Sequence, residues 1–314
     1  MVGIATSTAY NTVLNGLLTA QTTQATATQQ ISSGETASDL QGYAGQSQTL
    51  LGLQAVQSQT NAYLANSQTT ANVLSAQDTG FTQLNTSASS AVTAIGNALG
   101  SGSGEALMQS LGTAFQSAIG GLNTTYNGQY LFSGGAVNTP ATTATSLSDL
   151  TTGAPISTLF QNGDNVATAQ VSASTTVQTG FLADQLGTNL YNAYQSIEAF
   201  SQGPNGPFTD PLSDAQTAFL QGALSSFKAA NTQLTTAQAQ NGLAQQQVTD
   251  AQTQLTDQQT TISNLVGDIS SVNMAQATTN LQQAQTAVQA SSQAFLALQN
   301  STNTLMSLLQ SAGA

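Results

Sequence analysis

A seven-residue apolar repeat runs through the C-terminal part of the chain and constrains its fold more than any other feature. Its first part consists of Val248, Leu255, Ile262 and Ile269. After a break near Asn273, its second part consists of Leu281, Val288, Phe295, Thr302 and Leu309, with Ala284, Ser291, Leu298 and Leu305 in the complementary positions. This spacing is typical of a coiled-coil seam. A long helix with one apolar stripe needs a partner helix along its length.

The N-terminal part of the chain offers partner helices. Tyr10, Leu14 and Leu17 share one face at helical spacing, which predicts a first helix. A stretch that contains Gly and Ser, residues 31–39, interrupts the pattern, as loop residues do. A second long helix is predicted from about Gly45 to past Leu99, with two heptad rows, Leu74, Phe81, Ala88 and Ile95 in one and Leu84, Ala91 and Ala98 in the other. Long amphipathic helices at both ends of a chain can pair in antiparallel fashion.

The middle of the chain changes from helical to strand-like patterns. Asn127–Gly128 precedes a strand-like segment, and residues 136–187 are rich in Thr, Val and Gly, so we predict a small β-rich insertion. Asn162–Gly163 stands between apolar residues and indicates a hairpin turn. Asp210 is predicted to be the N-cap of the long C-terminal helical region, with Pro211 at the first helical position.

These patterns predict a mainly α protein. We expect a long antiparallel coiled-coil-like helical bundle formed by both chain ends, with the small β-rich insertion in the middle. The expected segments are an N-terminal assembly segment, rod helices with a β signature, an outer insertion with a short helix, a C-terminal rod helix and a C-terminal assembly helix. Their expected boundaries are 1–44, 45–135, 136–205, 206–272 and 273–314.

Charged residues are scarce. They make up 4% of the chain, against roughly a quarter in average soluble domains. Lys228 is the only basic side chain, and the net charge is -12, so nucleic acid and anionic membrane surfaces are improbable partners. We also expect no membrane insertion, because no apolar run approaches the roughly 18 residues of a spanning helix. The first ten residues lack the basic and apolar regions of a cleaved secretory signal.

The sequence offers little for catalysis. Without His or Cys, the commonest general base and the thiolate nucleophile are missing, and a zinc site is improbable. Lys228 is best interpreted as a solvated helix lysine. Asp210 and Asp214 could form a carboxylate pair, but their position at a helix start favours a role in capping. We therefore expect no enzymatic activity, no metal and no cofactor.

Four segments of the chain resemble bacterial flagellins and the related hook–filament junction protein, of the hook-associated protein 3 type. Residues 30–34, Gln-Ile-Ser-Ser-Gly, are similar to the N-terminal signature of this family, and residues 272–277, Val-Asn-Met-Ala-Gln-Ala, to its C-terminal signature. Residues 304–310 resemble the usual terminus. Residues 127–135, Asn-Gly-Gln-Tyr-Leu-Phe-Ser-Gly-Gly, are most similar to the junction-type branch. Residues 140–205 resemble no known segment.

The resemblance implies a structural subunit of the flagellum that self-assembles through its terminal helices and supports motility. It implies an extracellular location, export through the flagellar channel without a cleaved signal peptide, and hook-associated proteins and an export chaperone as partners beside the homopolymer. The filament subunit ranks narrowly before the junction protein, and a secreted coiled-coil adhesin or secretion-needle component is a more distant alternative. The residues predicted to form the assembly interface are Ile4, Tyr10, Leu14, Leu17, Leu281, Val288, Phe295, Leu298, Leu305 and Leu309.

The chain departs from the family where the family is charged. Uncharged residues stand at these positions, namely Gln30, Thr36, Asn273, Gln276 and Asn280. Ion pairs between subunits are therefore largely unavailable, whereas the apolar seams are intact. Because amide and hydroxyl hydrogen bonds do not titrate, we expect an assembled filament to persist at about pH 3.

Overall fold

The computed structural model describes residues 2–312, and their side chains at 8–304, 307 and 311. The described part is dominated by six α-helices, and the prediction of a mainly α fold is confirmed. They are α1 (Val2–Ser33), α2 (Ser47–Ser101), α3 (Leu107–Leu122), α4 (Ala183–Gln202), α5 (Asp214–Ser270) and α6 (Met274–Ala312). Two antiparallel pairs of short strands lie in the middle, β1 (Thr125–Tyr126) with β2 (Gln129–Tyr130) and β3 (Thr168–Gln170) with β4 (Thr176–Gln178).

The chain forms two compact units. Unit 1 comprises Met1–Ser58 and Thr260–Ala314, and unit 2 comprises Gln59–Gln259. Helices α2 and α5 each contribute residues to both units. The two chain ends therefore fold together in unit 1, as expected of helices that carry complementary apolar stripes.

In unit 1, α1 and α6 pair in antiparallel fashion. The ring of Tyr10 lies 4.9 Å from the ring of Phe295, and further along α1 Gly16 faces Ser291. The break predicted near Asn273 is confirmed, since α5 ends at Ser270 and α6 begins at Met274. The Asn273 side chain accepts a hydrogen bond of 3.1 Å from the backbone N–H of Gln276, which makes Asn273 the N-cap of α6.

The core of unit 2 is built on the predicted heptad rows of α2. Leu74, Phe81, Ala88 and Ile95, together with Leu84 and Ala91, are inaccessible to solvent. Aromatic rings on other helices complete this core, and Tyr194 contacts Phe115 and Phe227 at centroid distances of 5.0 and 4.8 Å. The seven-residue spacing thus identified the buried face of α2 correctly, because tertiary packing selects the apolar stripe.

Two glycines let α2 and α3 approach each other closely within unit 2. A Cβ atom on Gly121 would lie 2.9 Å from the carbonyl oxygen of Gly80 and 2.9 Å from Cγ of Leu84. A Cβ atom on Gly80 would lie 2.9 Å from the carbonyl oxygen of Gly121. Neither position accepts a larger residue without movement of the backbone.

The strand predicted after Asn127–Gly128 is the second strand of a hairpin, and this dipeptide forms its turn. Thr125 pairs with Tyr130 and Tyr126 with Gln129, and both turn residues have positive φ, 49° for Asn127 and 77° for Gly128. Positive φ at both central residues is the requirement of a type I′ turn, which Asn-Gly satisfies at low cost.

The hairpin predicted at Asn162–Gly163 is wrong. The second hairpin lies further along, where Ala169 pairs with Val177. The Asn162 side chain instead binds the start of α4, accepting a hydrogen bond of 3.1 Å from the backbone N–H of Asp184 and donating one of 3.0 Å to its carboxylate. The amide therefore satisfies a helix-terminal N–H that has no partner within the helix.

The predicted N-cap at Asp210 is also wrong. Helix α5 begins at Asp214, and its cap is Ser213, whose hydroxyl accepts from the N–H of Gln216 at 3.3 Å while the Gln216 side chain accepts from the N–H of Ser213 at 3.1 Å. This reciprocal pair is a capping box. The peptide bond between Asp210 and Pro211 is cis and lies in the preceding loop.

Candidate functional site

The exposed apolar side chains are concentrated in unit 1. Of the ten large apolar residues exposed among the described side chains, eight belong to this unit, although it is the smaller of the two. They are Tyr10, Leu18, Leu40, Leu51, Val56, Leu265, Met274 and Leu296. Because single exposed apolar residues are common but clusters mark interaction sites, unit 1 is the candidate functional site.

Among the described side chains of α1 and α6, the buried apolar residues are all alanines. Ala20 and Ala27 on α1, and Ala277 and Ala284 on α6, are between 1% and 6% exposed. Small side chains allow two helices to approach closely, but they bury little apolar surface, and burial stabilises in proportion to area. The larger apolar side chains described on these two helices are all at least partly exposed.

The larger residues predicted to form the assembly interface flank these alanines. Tyr10 is 41% exposed, and the other described members are partly buried, namely Leu14, Leu17, Leu281, Val288, Phe295 and Leu298. The structure brings them together on α1 and α6, and none of them is fully buried. The remaining predicted members, Ile4, Leu305 and Leu309, lie outside the described side chains.

An open groove of about 480 Å³ runs between α1 and α6. Its floor is made by small residues, Gly16 and Ala20 on α1 and Ala284 and Ala287 on α6, and its rim includes Gln283. The prediction from the sequence concentrated on large residues and missed this groove. The spacing of the small residues, four positions from Gly16 to Ala20 and three from Ala284 to Ala287, places each pair on one helix face and is the signal that could have found it.

The two segments that resemble family signatures meet in unit 1. The N–H of Val272 donates to the carbonyl oxygen of Gly34 at 3.0 Å, and the N–H of Thr36 donates to the carbonyl oxygen of Ser270 at 2.7 Å. Gln30, which stands where the family has a basic residue, donates its side-chain amide to the carbonyl oxygen of Thr36 at 2.7 Å. An amide thus orders this turn without a charge.

The carboxylates that were weighed as catalytic residues lie at chain turns and helix starts. Asp214 is in the first turn of α5, and Asp210 is in the loop before it. Elsewhere in unit 2, hydrogen bonds from the backbone and the hydroxyl of Thr145 hold the pKa of Asp149 below its usual value. Burial raises the pKa of Tyr191 and of Tyr194 above the ordinary value for tyrosine. These are structural positions of capping and core packing.

The described residues contain no group of three potential metal-ligating side chains among His, Cys, Asp and Glu. Within the same residues, no helix is both long enough and apolar enough to cross a membrane.

Comparison with known proteins finds a family model that matches the C-terminal part of the chain. Residues 224–309, which include most of α5 and α6, match the bacterial flagellin C-terminal helical region. No curated protein matches the sequence.

Two solved structures share the fold. One is described as a flagellar hook-associated protein from Vibrio parahaemolyticus, with 18% sequence identity, a TM-score of 0.58, and coverage of 71% of this chain and 96% of that chain. The other is FlgL from Bacillus cereus, with 16% identity, a TM-score of 0.52, and coverage of 70% of this chain and 99% of that chain. Residues 224–309 therefore resemble a bacterial flagellin C-terminal helical region, and the chain shares its fold with these two structures.

Proposed function

We propose that this protein is a structural subunit of the bacterial flagellum that assembles through α1 and α6. The observation that carries the proposal is the concentration of exposed apolar side chains in unit 1, four of which, Tyr10, Leu18, Met274 and Leu296, lie on α1 and α6. Exposed apolar side chains on a helix pair gain stability when further helices cover them.

Within the flagellum, we propose the hook–filament junction as the place of this subunit. The fold is shared with two hook-associated proteins over nearly their whole length, and the hairpin at Asn127–Gly128 belongs to the segment that resembles the junction-type branch. The filament subunit is the second candidate, and the match of residues 224–309 to the flagellin C-terminal helical region favours it.

The family supplies the remaining parts of the proposal. The protein would act outside the cell, after export through the flagellar channel with the help of a chaperone, and would contact other hook-associated proteins and further copies of itself. It would have no enzymatic role, in keeping with the structural roles of flagellin-family proteins. Motility is the process that it would support.

Immunogold electron microscopy of flagella tests both the function and the place. Cells that lack the gene would be complemented with an epitope-tagged chain, the tag being inserted after Gly153, which lies in an exposed turn of unit 2. Gold confined to one band between hook and filament is the result expected for the junction. Gold along the whole filament would assign the chain to the filament instead, and normal flagella without gold would contradict both.

A further inference from the structure

Asparagine is followed by glycine at five places in the chain, residues 15–16, 127–128, 162–163, 205–206 and 241–242. Asparagine is a thermally labile residue, because its side-chain amide can be attacked by the backbone nitrogen of the residue that follows. A following glycine favours this attack, since it has no side chain to obstruct the approach and its backbone rotates freely. The attack needs a glycine N–H that is free of hydrogen bonds and an asparagine side chain that can reach it. The five pairs differ in these two properties.

Two of the pairs are protected by helix hydrogen bonds. Asn15–Gly16 lies within α1 and Asn241–Gly242 within α5, where each backbone N–H donates to the carbonyl oxygen four residues earlier. Asn241 is in addition fully buried, and its amide donates to the carbonyl oxygen of Leu74 at 2.9 Å. In both pairs the glycine nitrogen is therefore already engaged.

Two further pairs lie in loops of unit 2 and are also protected. The N–H of Gly163 donates to the carbonyl oxygen of Ser133 at 2.9 Å, and the N–H of Gly206 donates to that of Gly203 at 3.1 Å. The Asn162 side chain is held as well, by its two hydrogen bonds at the start of α4. Attack by either glycine nitrogen would first require its hydrogen bond to break.

The fifth pair, Asn127–Gly128, forms the turn between β1 and β2 and is free in both respects. Both residues are exposed, and within the described part of the chain neither the Gly128 N–H nor the Asn127 side chain makes a hydrogen bond. A Cβ atom on Gly128 would meet no atom within 4 Å. The ladder of this hairpin has two residue pairs, and so short a ladder opens locally at low cost. The backbone can therefore rotate to bring the two groups together.

We propose that Asn127 is a modification site, at which the chain converts asparagine to aspartate or isoaspartate with water as the co-substrate. The Gly128 nitrogen attacks Cγ of Asn127. The N–Cγ bond forms, the Cγ–Nδ2 bond breaks, and ammonia leaves with the proton of the N–H. Water then opens the resulting five-membered imide. Addition of water at Cγ gives aspartate, and addition at the main-chain carbonyl carbon gives isoaspartate.

Either product changes the hairpin. The new carboxylate adds one negative charge to a chain whose net charge is -12. Isoaspartate also routes the backbone through the former side chain and inserts one methylene group, which is incompatible with the two-residue turn that pairs Tyr126 with Gln129. The modification thus alters β1 and β2 irreversibly as the protein ages. It is independent of the proposed assembly through α1 and α6, because this hairpin belongs to unit 2.

Mass spectrometry of the full chain tests the site. The chain is incubated in mildly alkaline buffer, once folded and once in denaturant, and is then digested with pepsin at acidic pH, where attack by a backbone nitrogen is slow. In the folded chain, conversion at Asn127 should be at least about tenfold faster than at each of the other four asparagines, since protected groups react only when the structure opens locally. In denaturant the five rates should converge. A different asparagine reacting first in the folded chain, or a lead of Asn127 that persisted in denaturant, would overturn the inference.

Anion-exchange chromatography of aged protein gives a second readout. Asn127→Gly removes the reacting amide and leaves Gly-Gly, a dipeptide that suits the same turn. Asn205→Gly is the matched control, because it removes the amide of a protected loop pair. A more acidic species should accumulate in the unsubstituted chain and in Asn205→Gly, and it should be nearly absent from Asn127→Gly. Equal accumulation in Asn127→Gly would show that the reaction occurs elsewhere in the chain.

Discussion

The backbone N–H of Val272 donates a hydrogen bond of 3.0 Å to the carbonyl oxygen of Gly34. A second bond, between the hydroxyl of Thr36 and the carbonyl oxygen of Ser271, joins residues 235 positions apart in the sequence. The turn that ends α1 and the turn that precedes α6 are thereby connected. Because α1 and α6 meet through small residues, this connection helps to keep the two helices in register.

Gly34 is the residue on which this connection depends. Its φ is +74°, a conformation that costs an L-residue about 1–2 kcal/mol. We predict that Gly34→Ala lowers the free energy of unfolding of unit 1 by about that amount and increases hydrogen exchange at the Val272 amide. Gly52→Ala is the control, since Gly52 lies within α2 in the same unit with open space around it, and it should stabilise by up to about 1 kcal/mol. If both substitutions changed the free energy of unfolding in the same direction, the role assigned to Gly34 would be contradicted.

A second prediction concerns the close contact of α2 with α3. Gly121→Ala would place a Cβ atom against the backbone of Gly80 and against Leu84, and overpacking of this kind costs about 1–3 kcal/mol. Denaturant unfolding of unit 2 measures this loss. Gly112→Ala in the same helix meets no atom within 4 Å and should stabilise by up to about 1 kcal/mol. Equal stability of the two variants would show that α2 and α3 can separate without cost.

The burial of the Tyr194 hydroxyl predicts that the folded state loses stability at alkaline pH. Its hydroxyl is buried beside Ser87, with 2.8 Å between the two side-chain oxygens, and burial raises its pKa. Above about pH 10 the unfolded chain releases the phenolic proton while the folded chain retains it, so stability is full below that pH and falls as the pH rises. Tyr194→Phe should reduce this fall, although it costs about 1 kcal/mol at neutral pH through the lost hydrogen bond. Unfolding curves at several pH values measure both effects.

The burial of Asn241 predicts that a charge at this position destabilises unit 2. Its amide donates to the carbonyl oxygen of Leu74 at 2.9 Å, and its own oxygen accepts no hydrogen bond from the described residues. Asn241→Asp would set a buried carboxylate against a carbonyl, which should destabilise by at least about 3 kcal/mol at neutral pH. Burial raises the pKa of such a carboxyl, so the variant should regain stability as the pH falls.

The control for this prediction is Asn97→Asp, at an exposed position of α2. It should change the free energy of unfolding by less than about 0.5 kcal/mol, as surface substitutions usually do. A loss of stability in Asn241→Asp that did not depend on pH would contradict the account.

Features with a local physical cause could be predicted from the sequence. The heptad row of Leu74, Phe81, Ala88 and Ile95 identified the buried face of α2, since a helix places residues seven apart on one side. A strand was correctly predicted after Asn127–Gly128, and the hairpin that it forms has this dipeptide as its turn, because few other dipeptides adopt positive φ twice at low cost. The break between α5 and α6 was equally visible, as a loss of period near Asn273.

Features that depend on residues distant in the sequence could not be predicted in this way. Asn162 binds the start of α4 and does not form a hairpin turn, because an amide that can stabilise a local turn can equally bind a free N–H brought to it by the fold. The cap of α5 is a different case, because Ser213 and Gln216 have the spacing of a capping box and the sequence alone could have indicated Ser213 in place of Asp210.

The candidate site likewise has features that the sequence determined and features that only the tertiary structure decided. The sequence by itself determined that both chain ends are helical, apolar on one side and free of charge, because these properties follow from residue type and period. Only the tertiary structure decided that Ala20, Ala27, Ala277 and Ala284 are buried while Leu18 and Leu296 stay exposed. The reason is that the distance between two helices depends on the side chains of both helices at each contact. The periodicity of one helix gives no information about that distance.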